Sequence, residues 1–218
     1  MFKGIDINHR NSSNTRIDWQ TVKDNNNIQF VIARAGYGEN NIDKSFKDNV
    51  SMLNRIGLPV GVSWSSLAYT SEMARNEALT CIDVIKDYRI EYPISYKFDR
   101  DSIENAIRHG KQLSRVEVDN IIRSFVNELK SHGYYPMIYA NSDYRKNFFP
   151  PTLFEDIEIW YSKSGKRSDM PYGIWQYSNS GTVKGIVGNV GLNKSAFDYK
   201  SIIKKMGMNN LKQRKGGK

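Results

Sequence analysis

The chain has 218 residues, of which 39% are hydrophobic and 12% aromatic, which excludes a disordered chain and supplies one sizeable core. No apolar run approaches the roughly 20 residues that span a bilayer. The opening MFKGIDINHR also lacks the apolar region of a secretory signal, so a chain synthesised in the cytoplasm without a signal peptide, and without membrane insertion, is expected. A net charge of +9 implies attraction to a polyanion, whether nucleic acid, an anionic membrane or an acidic cell wall.

In chain order, short apolar runs predict strands over FKGIDI (2–7), FVIARA (30–35), PVGVSWS (59–65), PISYKF (93–98), YPMIYA (135–140), IEIWYS (157–162) and GIWQYS (173–178). A final strand is expected near GIVGNV (185–190). Between the early strands lie helical patterns near 18–26, 43–56, 71–88 and 114–132, with a weaker one around 142–156. Ser71 with Glu72 and Ser114 with Glu117 read as N-cap signals, and Gly57 and Gly133 stand where C-caps belong. After Trp160 the helical patterns disappear and strands follow one another closely.

This alternation implies an α/β fold with a parallel sheet covered by helices, and eight strands suggest closure into a barrel. An open doubly wound sheet is disfavoured, because no Gly-rich phosphate fingerprint follows the first strand. No Pro-, Gly- or Ser-rich linker interrupts the elements, so residues 1–203 are expected to form one barrel domain. The remainder, 204–218, reads KKMGMNNLKQRKGGK and is expected to be a solvated basic tail. Cys81 falls in an apolar helical run and reads as a core residue. The spacing of His9, His109 and His132 suggests no metal site, and no cofactor is implied.

In such a barrel the chemistry belongs at the C-terminal ends of the strands, which brings Asp6, Arg34, Trp64, Lys97, Asp99, Asn141, Trp160, Gln176 and Tyr177 to one mouth. Tyr37, Tyr96 and Tyr139 join the aromatics there, which suit stacking on sugar rings or nucleobases. Any one of them could equally be core. Glycoside hydrolysis needs two carboxyl groups, about 5–9.5 Å apart. Asp6 and Asp99 are the acidic residues that this element map puts at the mouth, and either could instead be a helix or turn cap.

The words KGIDI (3–7), IDW (17–19), FVIARAGYG (30–38), GLPVGV (57–62), GYYPMIYAN (133–141) and IWQYSNSGTVKGIVGNVGLN (174–193) carry a resemblance to the glycoside hydrolase family 25 muramidases, the lysozymes of many phages and Gram-positive bacteria. The resemblance implies an irregular TIM-like barrel of five strand-helix units followed by three strands, and peptidoglycan or another anionic cell-wall glycan as partner. The departures fall on the acids. Where the family has Asp and Glu on the fourth strand this chain has Lys97 and Asp99, and where the family has a late Asp it has Gly191; Asp6 is retained.

Positions 97 and 99 are two apart on a strand, on one face, with Cα atoms roughly 6.5 Å apart. A cation at 97 is therefore expected to lower the pKa of Asp99, the wrong direction for a general acid. The expected function is a peptidoglycan-directed domain, catalytically impaired or inactive, acting at the cell wall or within a phage particle among other structural proteins. The alternative is an active N-acetylmuramidase using Asp6 and Asp99. A nucleic-acid binder is disfavoured, since it would rest on charge and aromatics alone.

Overall fold

The computed structural model describes residues 1–12, 16–165 and 171–211. Its strands are β1 (Phe2–Ile7), β2 (Phe30–Tyr37), β3 (Asn41–Ile42), β4 (Val60–Ser65), β5 (Ile94–Lys97), β6 (Pro136–Asn141), β7 (Ile159–Ser162), β8 (Ile174–Gly181) and β9 (Val190–Ser195). The helices are α1 (Trp19–Asn26), α2 (Phe46–Ile56), α3 (Ser71–Ile85), α4 (Arg100–Arg108), α5 (Arg115–Ser131), α6 (Ser142–Asn147), α7 (Leu153–Asp156) and α8 (Tyr199–Met206).

From β1 through β2, β4, β5, β6 and β7 to β8 every pairing is parallel. The closing strand β9 runs antiparallel to both β8 and β1, which completes an eight-stranded barrel. β3 is a short antiparallel addition to β2.

Alternation along the strands divides the apolar residues between two compartments. Val31 and Ala33, Val60 and Val62, and Ile94 and Tyr96 face outward into a core shared with Val50, Leu53, Ala78, Ile122 and Phe125 of the helices. Phe30, Ile32, Met137, Trp160 and Ile174 face inward and form an apolar floor. Gly4 is required there, because a Cβ at that position would overlap the Phe30 ring. The expected caps hold at Ser114, whose side chain and Glu117 form a reciprocal capping box, and at Gly57, which ends α2 at φ 73°.

Four expectations are corrected. The last strand is Val190–Ser195, since Gly185 and Gly188 take φ of 100° and 86° and turn the chain at 185–190. The weak helical stretch 142–156 is split into α6 and α7 around Pro150 and Pro151. A further helix, α4, follows Asp99 directly.

The fourth correction concerns the chain after Trp160, which does contain a helix. α8 is capped by Asp198 and packs Tyr199 and Ile203 beneath the barrel floor. Asn209 is buried and donates to the carbonyls of Ile90 (3.2 Å) and Tyr92 (3.1 Å), so the chain around it is anchored to the bottom of the barrel, while residues 204–207 are exposed as expected of a solvated stretch. The rest of that expected tail lies outside the described residues.

Behind β5, Glu77 of α3 is fully buried, accepting from Tyr96 Oη (2.6 Å) and the Leu67 amide (2.7 Å). Burial pushes its carboxyl up to about 7, against the hydrogen bonds that favour the charge. The folded pKa lies above the unfolded value of 4.5, so the folded chain holds its proton longer. This group therefore costs nothing below pH 4.5 and progressively destabilises the fold as pH rises to about 7. Glu77→Gln should remove a pH-dependent loss on the order of 3 kcal/mol between those limits. Urea unfolding of both proteins at pH 5 and pH 8 measures it, and equal pH dependence in the two would refute this role.

Candidate active site

The mouth is built on β1. Asp6 Oδ1 accepts from Gln176 Nε2 of β8 (2.7 Å) and from Asn193 Nδ2 of β9 (2.8 Å). Neither amide is free to turn round. Asn193 Oδ1 accepts from the Trp160 indole N–H (2.8 Å), a group that can only donate, so its NH2 must face Asp6. Gln176 Oε1 accepts from Ser162 Oγ (2.8 Å) and Tyr139 Oη (3.1 Å), and with both hydroxyls donating to that oxygen its NH2 is the group turned to Asp6. Five strands thus orient one carboxylate.

Gly191 lies opposite Asp6 in the β1–β9 register, and a Cβ there would overlap the Asp6 carboxylate. The absence of a side chain at 191 is what lets Asp6 lie in this position. Asp6 and Gly191 line a cavity of about 220 Å³ with Asn8, Asn11, Lys97, Tyr139, Gln176, Asn179, Asn189 and Val190.

Lys97 closes β5 in register with Tyr139, which is in register with Trp160. The Lys97 ammonium lies over both rings, 4.3 Å from the Tyr139 centroid and 5.1 Å from that of Trp160. That geometry is a cation–π seat for the cation where the resemblance implies an acid.

Asp99 is half-buried and does not line the cavity. It is the N-cap of α4, accepting from the Asp101 amide (3.2 Å) while its own amide donates to Ser102 Oγ (3.1 Å). Burial raises its pKa, and Lys97 opposes that rise without reversing it. The expected lowering by Lys97 is present, but the expected net direction is corrected: desolvation outweighs a cation with which Asp99 forms no ion pair.

The remaining expected mouth residues divide by the face of the strand they occupy. Trp64 and Tyr96 are corrected outright, being buried on the helix-facing side. Trp64 Nε1 donates to the Gly38 carbonyl (3.0 Å), and Tyr96 stacks on Phe125 at 3.9 Å. Tyr177 sits on the outer face of β8 with Trp175 and under Lys194, whose ammonium is 5.0 Å from its ring. Asn141 caps α6 through the amides of Asp143 and Tyr144. Trp160 belongs to the floor, reaching the mouth only through its N–H and ring face.

Arg34 is committed to Asp43, with Nε 2.9 Å from Oδ2, and contacts His9 Nδ1 at 2.6 Å. Its guanidinium also lies 5.5 Å from the ring of Tyr37, the exposed aromatic at the end of β2. Burial works against the charge of Asp43. The amides of Ser45 and His9, the Ser45 hydroxyl and Arg34 nevertheless hold its carboxyl below the usual range.

Sequence reasoning missed Asp43, Asn193, Ser162 and the asparagines of the cavity wall. For Asn193 and Ser162 the signal available was parity, since each shares the inward face of its strand with a residue already singled out or with the floor. Nothing in the local sequence marks Asn8, Asn11, Asn179 or Asn189.

A barrel of seven parallel strands closed by the antiparallel β9, with an apolar floor, a polar mouth and an oriented carboxylate, has the architecture of the barrel glycoside-hydrolase folds. Residues 5–186 match the family model for glycosyl hydrolases family 25, and the chain belongs to that family.

The chain is 24% identical over 195 residues to the autolytic lysozyme of Clostridium acetobutylicum, a match that covers 88% of this chain and 55% of that protein. Among solved structures it resembles the modular autolysin LytC from Streptococcus pneumoniae in complex with synthetic peptidoglycan ligand. That likeness has 28% identity and a TM-score of 0.78, over 88% of this chain and 46% of that one. The bacterial lysozyme from Streptomyces coelicolor shares the fold at 19% identity and TM-score 0.75, over 97% of this chain and 98% of that one. The chain thus spans about half the length of the first two relatives.

Gly191→Ala should force Asp6 off Gln176 and Asn193, at a cost of about 1–3 kcal/mol. In an Asp6→Ala background the same substitution should cost much less, because the clashing carboxylate is gone. A double-mutant cycle of unfolding free energies measures the difference, and strict additivity of the two changes would contradict this account.

Proposed function

We propose that this domain binds peptidoglycan at the barrel mouth and hydrolyses it slowly or not at all. The observation that carries the reading is that, among the described residues, Asp6 is the one carboxylate lining the mouth cavity and Lys97 brings an ammonium to the same wall. Ordinary glycoside hydrolysis needs a second carboxyl group across the scissile bond. Asp99 uses one oxygen to cap α4 and stands one methylene short of the Glu that the resemblance implies, and Gly191 contributes no acid at all. A general acid misplaced by about 1 Å loses on the order of 100-fold in rate.

Binding is supported separately from catalysis. The pneumococcal autolysin's structure holds a synthetic peptidoglycan ligand, and the exposed ring of Tyr37 at the end of β2 suits the apolar face of a sugar ring. A net charge of +9 favours an anionic wall over a neutral glycan. The domain would then serve as a wall-binding or structural component, including within a phage particle.

One observation favours a second reading, an active N-acetylmuramidase. Burial raises Asp99 in the direction that a general acid requires, with Asp6 as its partner.

Sedimentation with purified Gram-positive peptidoglycan and release of reducing ends from it separate the two readings. The domain should co-sediment with the wall while releasing reducing ends at least about 100-fold more slowly than a family member with all its acids. A rate comparable to that enzyme, abolished by Asp99→Asn, would establish the second reading in place of the first. Failure to co-sediment would remove peptidoglycan as the ligand.

A further inference from the structure

Resting on the reading that the mouth takes a glycan, we propose that Lys97 makes this cavity a receptor for a sugar that carries a carboxylate. Lys97 Nζ lies over the faces of Tyr139 and Trp160, and among the described residues it has no hydrogen-bond or ion-pair partner. An ammonium carries three N–H donors. Attraction to the ring faces fixes its position without consuming them. Those donors face the cavity that Lys97 lines, and an anionic acceptor forms stronger hydrogen bonds with an ammonium than a neutral one does.

Asp99 does not fill that role. It acts on Lys97 only at longer range, with no ion pair between them, and its carboxyl is engaged with the Asp101 amide. Asp6 does not fill it either, for its Oδ1 already accepts from two amides and no ion pair joins it to Lys97.

The rest of the cavity constrains what brings the anion. At about 220 Å³ it is smaller than the roughly 300–1,000 Å³ of drug-sized sites, so it holds a single ring-sized group. Its wall presents the Asp6 carboxylate beside Lys97, together with side-chain amides that donate and accept. A ligand complementary to this wall has hydroxyl or amide N–H donors for Asp6 and one carboxylate for Lys97. A neutral sugar offers Lys97 only hydroxyl and carbonyl acceptors, which bind an ammonium more weakly than a carboxylate does. A phosphate polymer would bring repeated negative charge against Asp6. The chemistry is that of an acidic monosaccharide unit, with the carboxylate borne either on a lactyl ether or at C6 of a uronic acid.

NMR titration of the full chain with two pairs of probes tests this and identifies the source. One pair is N-acetylmuramic acid against N-acetylglucosamine, and the other is glucuronic acid against glucose. In at least one pair the acid should bind about tenfold more tightly than its neutral counterpart, the gain of one hydrogen bond to a charged group. The pair that shows the gap names the source.

Lys97→Met and Lys97→Gln, each checked by thermal melting, should abolish the gap, lowering affinity for the acid by about tenfold more than for the neutral sugar. Equal affinity for acid and neutral sugar in the parent protein, absence of binding by all four probes, or a gap that survives both substitutions would overturn the proposal. Peptidoglycan sedimentation run alongside separates the two layers of inference. Co-sedimentation without a charge preference leaves the wall-binding reading standing and removes this one, whereas a Lys97-dependent preference without co-sedimentation does the reverse.

Discussion

β1 closes the barrel by pairing with β2 on one side and β9 on the other, and the same strand carries Asp6 into the mouth. The orientation of that carboxylate is not local. It is set by two amides, and those are set in turn by the Trp160 indole and by the hydroxyls of Ser162 and Tyr139. Trp160 is fully buried among the floor residues, so the packing of Phe30, Ile32, Met137 and Ile174 around it fixes where its N–H points. A change of volume in the floor would therefore be felt at Asp6, since close-packed interiors transmit displacement. Core and site share one network here.

The charges at the end of β5 illustrate how magnitude decides between opposing effects. A cation two residues away favours the ionised form of Asp99, and burial favours the neutral form. Burial wins because Lys97 is drawn to the faces of Tyr139 and Trp160 and forms no ion pair with Asp99, which leaves its attraction to act at longer range. The Asp99 carboxyl spends itself at the N-terminus of α4, where an acceptor for unpaired amides is worth about 0.5–2 kcal/mol. One residue thus has a structural use that stands independently of any reaction, and its retention as an acid needs no catalysis to account for it.

Much of the barrel was legible in the sequence because strands alternating with amphipathic helices admit few packings, and because caps such as Ser114 with Glu117 are local. What was misread followed from treating position along a strand as sufficient. Trp64 and Tyr96 stand near strand ends, yet Trp64 shares parity with Val60 and Val62, and Tyr96 with Ile94 and Phe98, which puts both on the outer face. Asp99 read as a candidate acid, with a helix or turn cap as the alternative, and with Ser102 it forms the capping box that starts α4. Tyr199 and Ile203, four apart beside a basic run, are a short apolar stripe that charge composition concealed. The aromatic faces beneath Lys97 could not be read locally at all, because they come from β6 and β7 and depend on register.

The three positions at which the resemblance implies other acids share a location that explains why the fold tolerates these residues. Positions 97 and 191 line a cavity, and position 99 lies just beyond a strand end; none belongs to the floor or to the layer between sheet and helices. Removing or reversing a charge there forfeits little packing, whereas a comparable change at Trp160 or Phe30 would open a void costing several kcal/mol. Lys97 goes further than tolerance. Its ammonium gains about 0.5–2 kcal/mol of cation–π attraction from rings that the barrel register already supplies. A lysine at this position is therefore stabilised by aromatics that the barrel register supplies, and the mouth presents an ammonium where the resemblance implies a carboxylate.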